Sequence, residues 1–437
     1  MPATVEFWFD LSCPYAYLAS TAIEGVCARA GAPLTLAPML LGGLFREIGA
    51  GDGPLPSLAP AKAAHNLRDM MRWAEVRGVS LRVPAAHPMR TVRALRAWLA
   101  VPTAHQAAAM HALYAAYWVH GHDLTADAVI ADALVAAGLT RAAATDALAA
   151  ADTDAIKDEL RRRTAQAAAL GVFGAPALVV HREAAPPILL WGQDRLHWLE
   201  AVLAGWDPDG GAPVVRPRAD PRPVAPALAA PPTLDFWFDY SSPFAYLGAT
   251  QIAAVAAGAG ATVRWRPMLL GALFRAVGTP DVPLLAMPEP KRRYLARDLD
   301  RWARYLGVEF RFSSRFPLRT VLPLRVTLLA GDRTEALVAR LFRAAWVEDR
   351  DVGDEAVVRA ALAEVGLDPA LVERAGEPAT KQALHDSTAA AIAGGVFGAP
   401  TSVVTVGAGG DRPVVFWGQD RLELVDAALR GWIPEVG

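Results

Sequence analysis

Apolar and polar positions alternate between two periods along the first half of the chain. Residues Val5–Asp10 are dominated by large apolar side chains and predict a buried strand. Pro14–Arg29 changes to a helical spacing, with proline in its first turn and Cys13 at the cap position. Leu34–Pro38 predicts a second strand. From Leu44 to about Leu170 the pattern is helical, with helices expected over Ala61–Gly78, Pro88–Val101, Gln106–Val119, Ala126–Ala137, Arg141–Ala149 and Asp154–Leu170. Strands return at Ala177–His181 and Ile188–Trp191, separated by Glu183–Pro187, and a last helix covers Arg195–Ala204. The order is β-α-β, a long helical insertion, then β-β-α. It predicts an α/β fold in which a thioredoxin-like sheet is interrupted by a helical domain.

The same pattern then returns. Phe7-Trp-Phe-Asp-Leu-Ser-Cys-Pro-Tyr-Ala-Tyr-Leu18 reappears as Phe236-Trp-Phe-Asp-Tyr-Ser-Ser-Pro-Phe-Ala-Tyr-Leu247, differing only at Leu11/Tyr240, Cys13/Ser242 and Tyr15/Phe244. Gly171-Val-Phe-Gly-Ala-Pro176 reappears as Gly395-Val-Phe-Gly-Ala-Pro400, and Trp191-Gly-Gln-Asp-Arg-Leu196 as Trp417-Gly-Gln-Asp-Arg-Leu422. A repeat of this size is two copies of one domain rather than a solenoid unit. The expected division is a first domain over 1–206, a linker over 207–232 and a second domain over 233–437. The linker is rich in proline, which predicts a semi-rigid extended segment.

Charge and composition narrow the range of partners. The 43 Lys+Arg and 45 Asp+Glu leave a formal net charge of -2, so there is no basic field for a nucleic acid and a small-molecule substrate is favoured. The least charged stretch, Ala97 to Val119, is interrupted by Pro102, Thr103, His105, Gln106 and His111 and reads as helix outside a membrane. The N-terminus runs into a strand pattern with no charged region followed by an apolar one, which predicts a cytoplasmic protein. Two cysteines, Cys13 and Cys27, exclude a disulfide framework. The histidines show no metal-ligand spacing.

The candidate chemistry lies at the strand-to-helix corner. Cys13 or Ser242 stands directly before a proline that opens a helix, so its side chain faces unpaired backbone N–H groups and the positive end of the helix dipole. That setting favours a negative sulfur, whether the sulfur of Cys13 or that of a bound thiol, and predicts a lowered thiol pKa for Cys13. Ser242 serves equally well as an ordinary N-cap.

Taken in order, Ser-Pro-Phe-Ala-Tyr-Leu after the Phe-Trp-Phe-Asp strand, Pro-Met-Leu-Leu-Gly, Gly-Val-Phe-Gly-Ala-Pro and Phe-Trp-Gly-Gln-Asp-Arg-Leu resemble the 2-hydroxychromene-2-carboxylate isomerase family, kin of kappa-class glutathione transferases and DsbA-type oxidoreductases. The resemblance covers nearly all of both copies. It implies two tandem thioredoxin-like domains, each with a helical insertion, and glutathione as cofactor. It implies that Ser242, and Cys13 with a changed atom, hold the glutathione sulfur. It implies that Ala175 and Ala399, each before a cis proline, Pro176 and Pro400, pair with the peptide part of glutathione. Gln193, Asp194, Gln419 and Asp420 inherit the γ-glutamyl end, and Lys62 and Lys291 a glutathione carboxylate. Family members commonly pair, so the tandem implies an intramolecular pseudo-dimer.

Three departures qualify the resemblance. Cys13-Pro-Tyr-Ala16 and Ser242-Pro-Phe-Ala245 lack the second cysteine of the DsbA pair, which rules out dithiol chemistry at either corner. Gly49-Ala50 and Gly278-Thr279 replace a Gly-Asn whose amide touches glutathione in the family. Where family isomerases often carry Phe-Pro-x-Asn-Thr, this chain has His87-Pro-Met-Arg90-Thr91 and Phe316-Pro-Leu-Arg319-Thr320. A guanidinium clamps a carboxylate with two bonds, so Arg90 and Arg319 point to an anionic substrate group. The expected activity is a glutathione-dependent isomerisation of an unsaturated aromatic-type carboxylic acid. The alternatives are a kappa-like transferase, or a tandem in which one or both copies only bind or dimerise. The Cys13/Ser242 difference places the reaction in the second copy.

Overall fold

The structure, a computed structural model, describes residues 3–51, 53, 58–210, 231–406 and 412–435. The first copy comprises β1 (Thr4–Phe9), α1 (Pro14–Arg29), β2 (Leu34–Pro38), α2 (Leu41–Glu47), α3 (Pro60–Arg77), α4 (Val92–Leu99), α5 (Thr103–Trp118), α6 (Asp127–Ala136), α7 (Arg141–Ala150), α8 (Asp154–Ala169), β3 (Ala177–Arg182), β4 (Ala185–Trp191) and α9 (Leu196–Leu203). The second comprises β5 (Thr233–Phe238), α10 (Pro243–Gly258), β6 (Thr262–Pro267), α11 (Leu270–Val277), α12 (Glu289–Leu306), α13 (Val321–Leu328), α14 (Thr334–Trp346), α15 (Glu355–Glu364), α16 (Leu371–Ala375), α17 (Pro378–Ala393), β7 (Thr401–Val406), β8 (Arg412–Trp417) and α18 (Leu422–Leu429).

Each copy builds a four-stranded sheet, in the orders β2-β1-β3-β4 and β6-β5-β7-β8. The first pair in each is parallel and the other two are antiparallel. β1 is central, and Val5, Phe7, Trp8 and Phe9 are buried on both its faces, which is why its sequence shows no alternation. The helical insertion leaves the sheet after β2 and returns at β3, as the pattern predicts.

Three local readings need correction. The expected helix over Pro88–Val101 begins only at Val92, with Thr91 at its cap; the His87–Pro88 bond ahead of it is cis. Phe316–Pro317 repeats this in the second copy. The strand expected at Ile188 begins at Ala185, so Pro186 and Pro187 lie in β4 rather than in a loop; β4 is an edge strand, where a missing N–H interrupts no ladder. The last helix opens with a 3-10 turn, Gln193–Arg195, before α9. Most of the expected linker, 211–230, lies outside the described residues.

The two copies share one hydrophobic core. Trp198 of the first packs on Trp302 of the second with ring centroids 4.8 Å apart. α3 and α12 each lie against the outer edge of the other copy's sheet. There Arg72 donates to the Val415 carbonyl at 2.7 Å and Arg301 to that of Leu189 at 2.7 Å, which satisfies edge carbonyls away from water. No helix among the described residues is long and apolar enough to cross a membrane.

Candidate active site

Each corner faces the cis peptide opposite it. Ala175–Pro176 and Ala399–Pro400 are cis. Cys13 Sγ donates to the Ala175 carbonyl at 3.1 Å, and Ser242 Oγ donates to the Ala399 carbonyl at the same 3.1 Å. Two motifs far apart in each copy thus meet at one point. The hydroxyl and the thiol differ in what else they do. Ser242 Oγ also accepts from the Ala245 amide at 3.1 Å and caps α10, whereas Cys13 makes no such cap bond. Cys13 is only 7 % exposed, and burial pushes its thiol up to about 12 against the partial relief from the Ala16 amide. The lowered pKa expected from its helix N-terminus is therefore not what this site produces: desolvation of the sulfur outweighs the amides.

Beneath each corner sits a carboxylate from the strand end. Asp10 accepts from Ser12, from Thr91 Oγ1 at 2.6 Å and from the Leu41 amide at 2.8 Å; Asp239 accepts from the Ser241 amide at 2.9 Å and the Leu270 amide at 2.8 Å. These bonds tie the corner to the start of α2 or α11. Burial holds the Asp239 carboxyl above its usual range, against the pull of those amides and Thr320. An aspartate ends both Phe-Trp-Phe-Asp strands, and that repetition is the signal that marks it, although strand pattern alone assigns it no role.

The wall beyond the cis peptide is aromatic. Phe173 and Trp191 pack with centroids 4.8 Å apart, and Phe397 and Trp417 with centroids 5.1 Å apart. Gly174 and Gly398 are required there: a Cβ would stand 2.9 and 2.6 Å from the indole nitrogens of Trp191 and Trp417. Lys62 lies over Trp417, at 4.8 Å, and Lys291 over Trp191, at 5.2 Å, so each lysine reaches the wall of the other copy. Burial lowers both ammonium pKa values, that of Lys291 to about 8 with Lys62 adding to the effect. Beside Lys62, buried His65 meets Phe397 at 5.1 Å with Nδ1 unpartnered, while its counterpart Tyr294 accepts from the Trp191 amide at 3.0 Å.

Asp194 and Asp420 stand between the copies. Arg421 donates to both oxygens of Asp69, at 2.9 and 3.0 Å, and to Asp194 at 2.7 Å; Arg195 reaches Asp298 at 3.2 Å and Asp420 at 3.3 Å. Burial disfavours the Asp194 carboxylate, yet Arg195 and Arg421 overcome it and hold the pKa at about 2. Asp420 is thus an interface partner as well as a candidate ligand. Gln193 is gripped by Arg77 at 2.8 Å, whereas the residue matching Arg77 in the second copy is Leu306.

Beside the second corner a cleft of about 660 Å³ opens between the sheet and the helical insertion. It starts at Asp239 and Ser241 and is walled by Leu270, Phe274, Leu318 and Leu322, with Arg319 at its edge. Arg319 pairs with Asp351 at 2.6 Å and remains largely exposed. Arg90, its counterpart, is exposed.

The DSBA-like thioredoxin domain family matches residues 4–204 and again residues 233–430. The chain belongs to that family, as a tandem of two domains. Among relatives of this DSBA-like chain, the 2-hydroxychromene-2-carboxylate isomerase of Sphingobium xenophagum is 30 % identical over 198 residues, which are 45 % of this chain and 97 % of the relative. The glutathione S-transferase kappa 1 of Rattus norvegicus is 25 % identical over 210 residues, 46 % of this chain and 91 % of the relative. A solved 2-hydroxychromene-2-carboxylate isomerase is 26 % identical, covers 45 % of the DSBA-like chain and 94 % of its own, and superposes with a TM-score of 0.40.

Proposed function

We propose that the chain is a glutathione-dependent isomerase of an unsaturated, aromatic-type carboxylic acid, with its working site in the second copy. The observation that carries this reading is the Ser242 hydroxyl, held at the start of α10 between the Ala245 amide and the Ala399 carbonyl, beside the cleft edged by Arg319. The relatives with isomerase and glutathione transferase names support the class of chemistry.

The residues fit a bound thiol. Ser242 has one proton, directed at Ala399 O, and a rotation of the hydroxyl redirects it to a sulfur at the N-terminal end of α10. The first-turn amides and the helix dipole favour negative charge at that point. On this reading Ala399 and Pro400 would pair with the peptide part of glutathione, and Gln419 and Asp420 would take its γ-glutamyl end. When bound, glutathione would supply a thiolate whose reversible addition to a conjugated carbon permits rotation about the former double bond. Leu270, Phe274, Leu318 and Leu322 would hold the apolar part of the substrate, and Arg319 would orient its carboxylate once Asp351 releases it. No redox equivalent is needed.

The first copy, with Cys13 buried as a thiol, is proposed as the structural partner in an intramolecular pseudo-dimer of units 1–206 and 233–437 acting in the cytoplasm. A kappa-like transferase is the second reading, favoured by the kappa 1 relative. Turnover of an unsaturated aromatic acid with glutathione recovered quantitatively supports the isomerase; a stable glutathione conjugate supports the transferase; turnover without glutathione contradicts both.

A further inference from the structure

The two copies differ along the lining of the cleft as well as at the corner residue, Cys13 or Ser242. In the second copy Leu322, Glu355 and Gly376 line the cleft. Aligned on Thr91/Thr320, on Trp118/Trp346 and on the caps of α8 and α17, Thr153 and Glu377, these residues match Arg93, Asp127 and Asp152 of the first copy. The three are joined there. Arg93 Nε and Nη2 donate to the two Asp127 oxygens at 2.9 Å each, and Arg93 Nη1 lies 2.7 Å from Asp152 Oδ1. One guanidinium therefore ties α4 to the start of α6 and to the turn before α8, across the positions that border open space in the other copy. No such tie is available to Leu322, whose side chain has no charge, or to Gly376, which has no side chain.

A second difference acts in the same direction. Gly353, which also lines the cleft, lies so close to Arg319 that a Cβ would stand 2.8 Å from the arginine Cβ and 2.9 Å from its carbonyl oxygen. This close approach lets the 351–353 loop run against Arg319 and place Asp351 on its guanidinium. Thr125 occupies the matching place in the first copy, where its hydroxyl and amide are bound to Asp123.

We infer that the tandem holds a single organic-acid site: the cleft of the second copy accepts one flat, apolar carboxylic acid against Leu322 and Arg319, and the Arg93–Asp127–Asp152 bridge closes its counterpart in the first. This deepens the proposed function and rests on its reading of the cleft as the substrate site. Leu322 is then a specificity-determining residue and Arg93 a plug.

The test is isothermal titration of the full chain with 2-hydroxycinnamate in the absence of glutathione, on the wild type, Leu322→Arg and Arg93→Leu, with circular dichroism to confirm folding. The expected result is one equivalent for the wild type, at least ten-fold weaker binding for Leu322→Arg, and a second equivalent for Arg93→Leu. If Leu322→Arg does not fold, Arg93→Leu decides alone. Two equal equivalents in the wild type, no binding at all, undiminished binding in folded Leu322→Arg, or no second equivalent in Arg93→Leu overturns the inference. Because glutathione is absent, a single cleft found here together with glutathione-independent turnover would defeat the proposed function alone. Glutathione-dependent turnover with two equal sites would defeat this inference alone.

Discussion

Lys62 of the first copy lies 4.8 Å over the indole of Trp417 in the second, and neither Lys62 nor its counterpart Lys291 makes an ion pair with a described residue. An ammonium against an aromatic face gains modest stabilisation but keeps donors free, which suits it to a ligand carboxylate. Because Trp417 belongs to the wall beside Ala399–Pro400, we propose that Lys62 serves the site of Ser242, across the boundary between copies. Lys62→Met should raise the glutathione concentration needed for half-maximal turnover by roughly ten-fold, the loss of one charge-assisted hydrogen bond. Lys291→Met should change it far less. Steady-state kinetics on both variants distinguishes this from service within one copy, which predicts the reverse.

Lys291 also makes a stability prediction. Burial, with Lys62 adding to it, holds its pKa at about 8 against an ordinary 10.5. The unfolded chain therefore binds more protons than the folded one between these values, so this group's contribution to stability becomes more favourable as pH rises from about 8 to 10.5. Below that window the buried charge opposes folding. Lys291→Met should accordingly raise Tm at pH 7, with the gain shrinking towards pH 10.5, as read by thermal unfolding across pH.

Cys13 should be chemically quiet. With the thiol near 12, the thiolate fraction at pH 8 is on the order of one in ten thousand, and its proton is engaged with Ala175 O. Alkylation by iodoacetamide and formation of a mixed disulfide with glutathione should both be negligible at pH 8 in the folded chain, as measured by intact mass. Cys13→Ala should leave most turnover in place.

The fold and the candidate corner are largely legible in the sequence, because both rest on local pattern. Apolar runs mark β1 and β5, Pro14 and Pro243 open helices, and the two Ala-Pro pairs stand opposite the corner as cis peptides. What eludes the pattern depends on distant residues. The rise in the Cys13 pKa comes from burial by the whole domain, which no helix-terminus argument contains. Asp69, Asp298, Arg72 and Arg301 sit in the repeated Arg-Asp-x-x-Arg-Trp segments, yet their partners lie in the opposite copy. Asp420 illustrates the cost of that blindness. The motif marks it only as a glutathione ligand, whereas in the structure its removal also deprives Arg195 of an ion-pair partner.

That buried network should govern acid stability. Asp194 holds a pKa of about 2 folded against 3.8 unfolded, because Arg195 and Arg421 overcome its desolvation. Its stabilising contribution is complete above 3.8 and is lost as pH falls through about 2, so unfolding should be acid-sensitive between those values. Arg421→Ala removes the shared cation from Asp69, Asp194 and Asp420 together, and should cost about 3–5 kcal/mol in denaturant unfolding, with the acid transition moved upward.

On the proposed reading the second copy binds glutathione through Ser242 and the first does not bind it through Cys13. A crystal structure of the full chain with glutathione tests it directly. One glutathione per chain is predicted, its sulfur within hydrogen-bond distance of Ser242 Oγ, its backbone beside Ala399 and a carboxylate on Lys62. Glutathione bonded to Cys13, or seated only at the first corner, or absent from both, would contradict it.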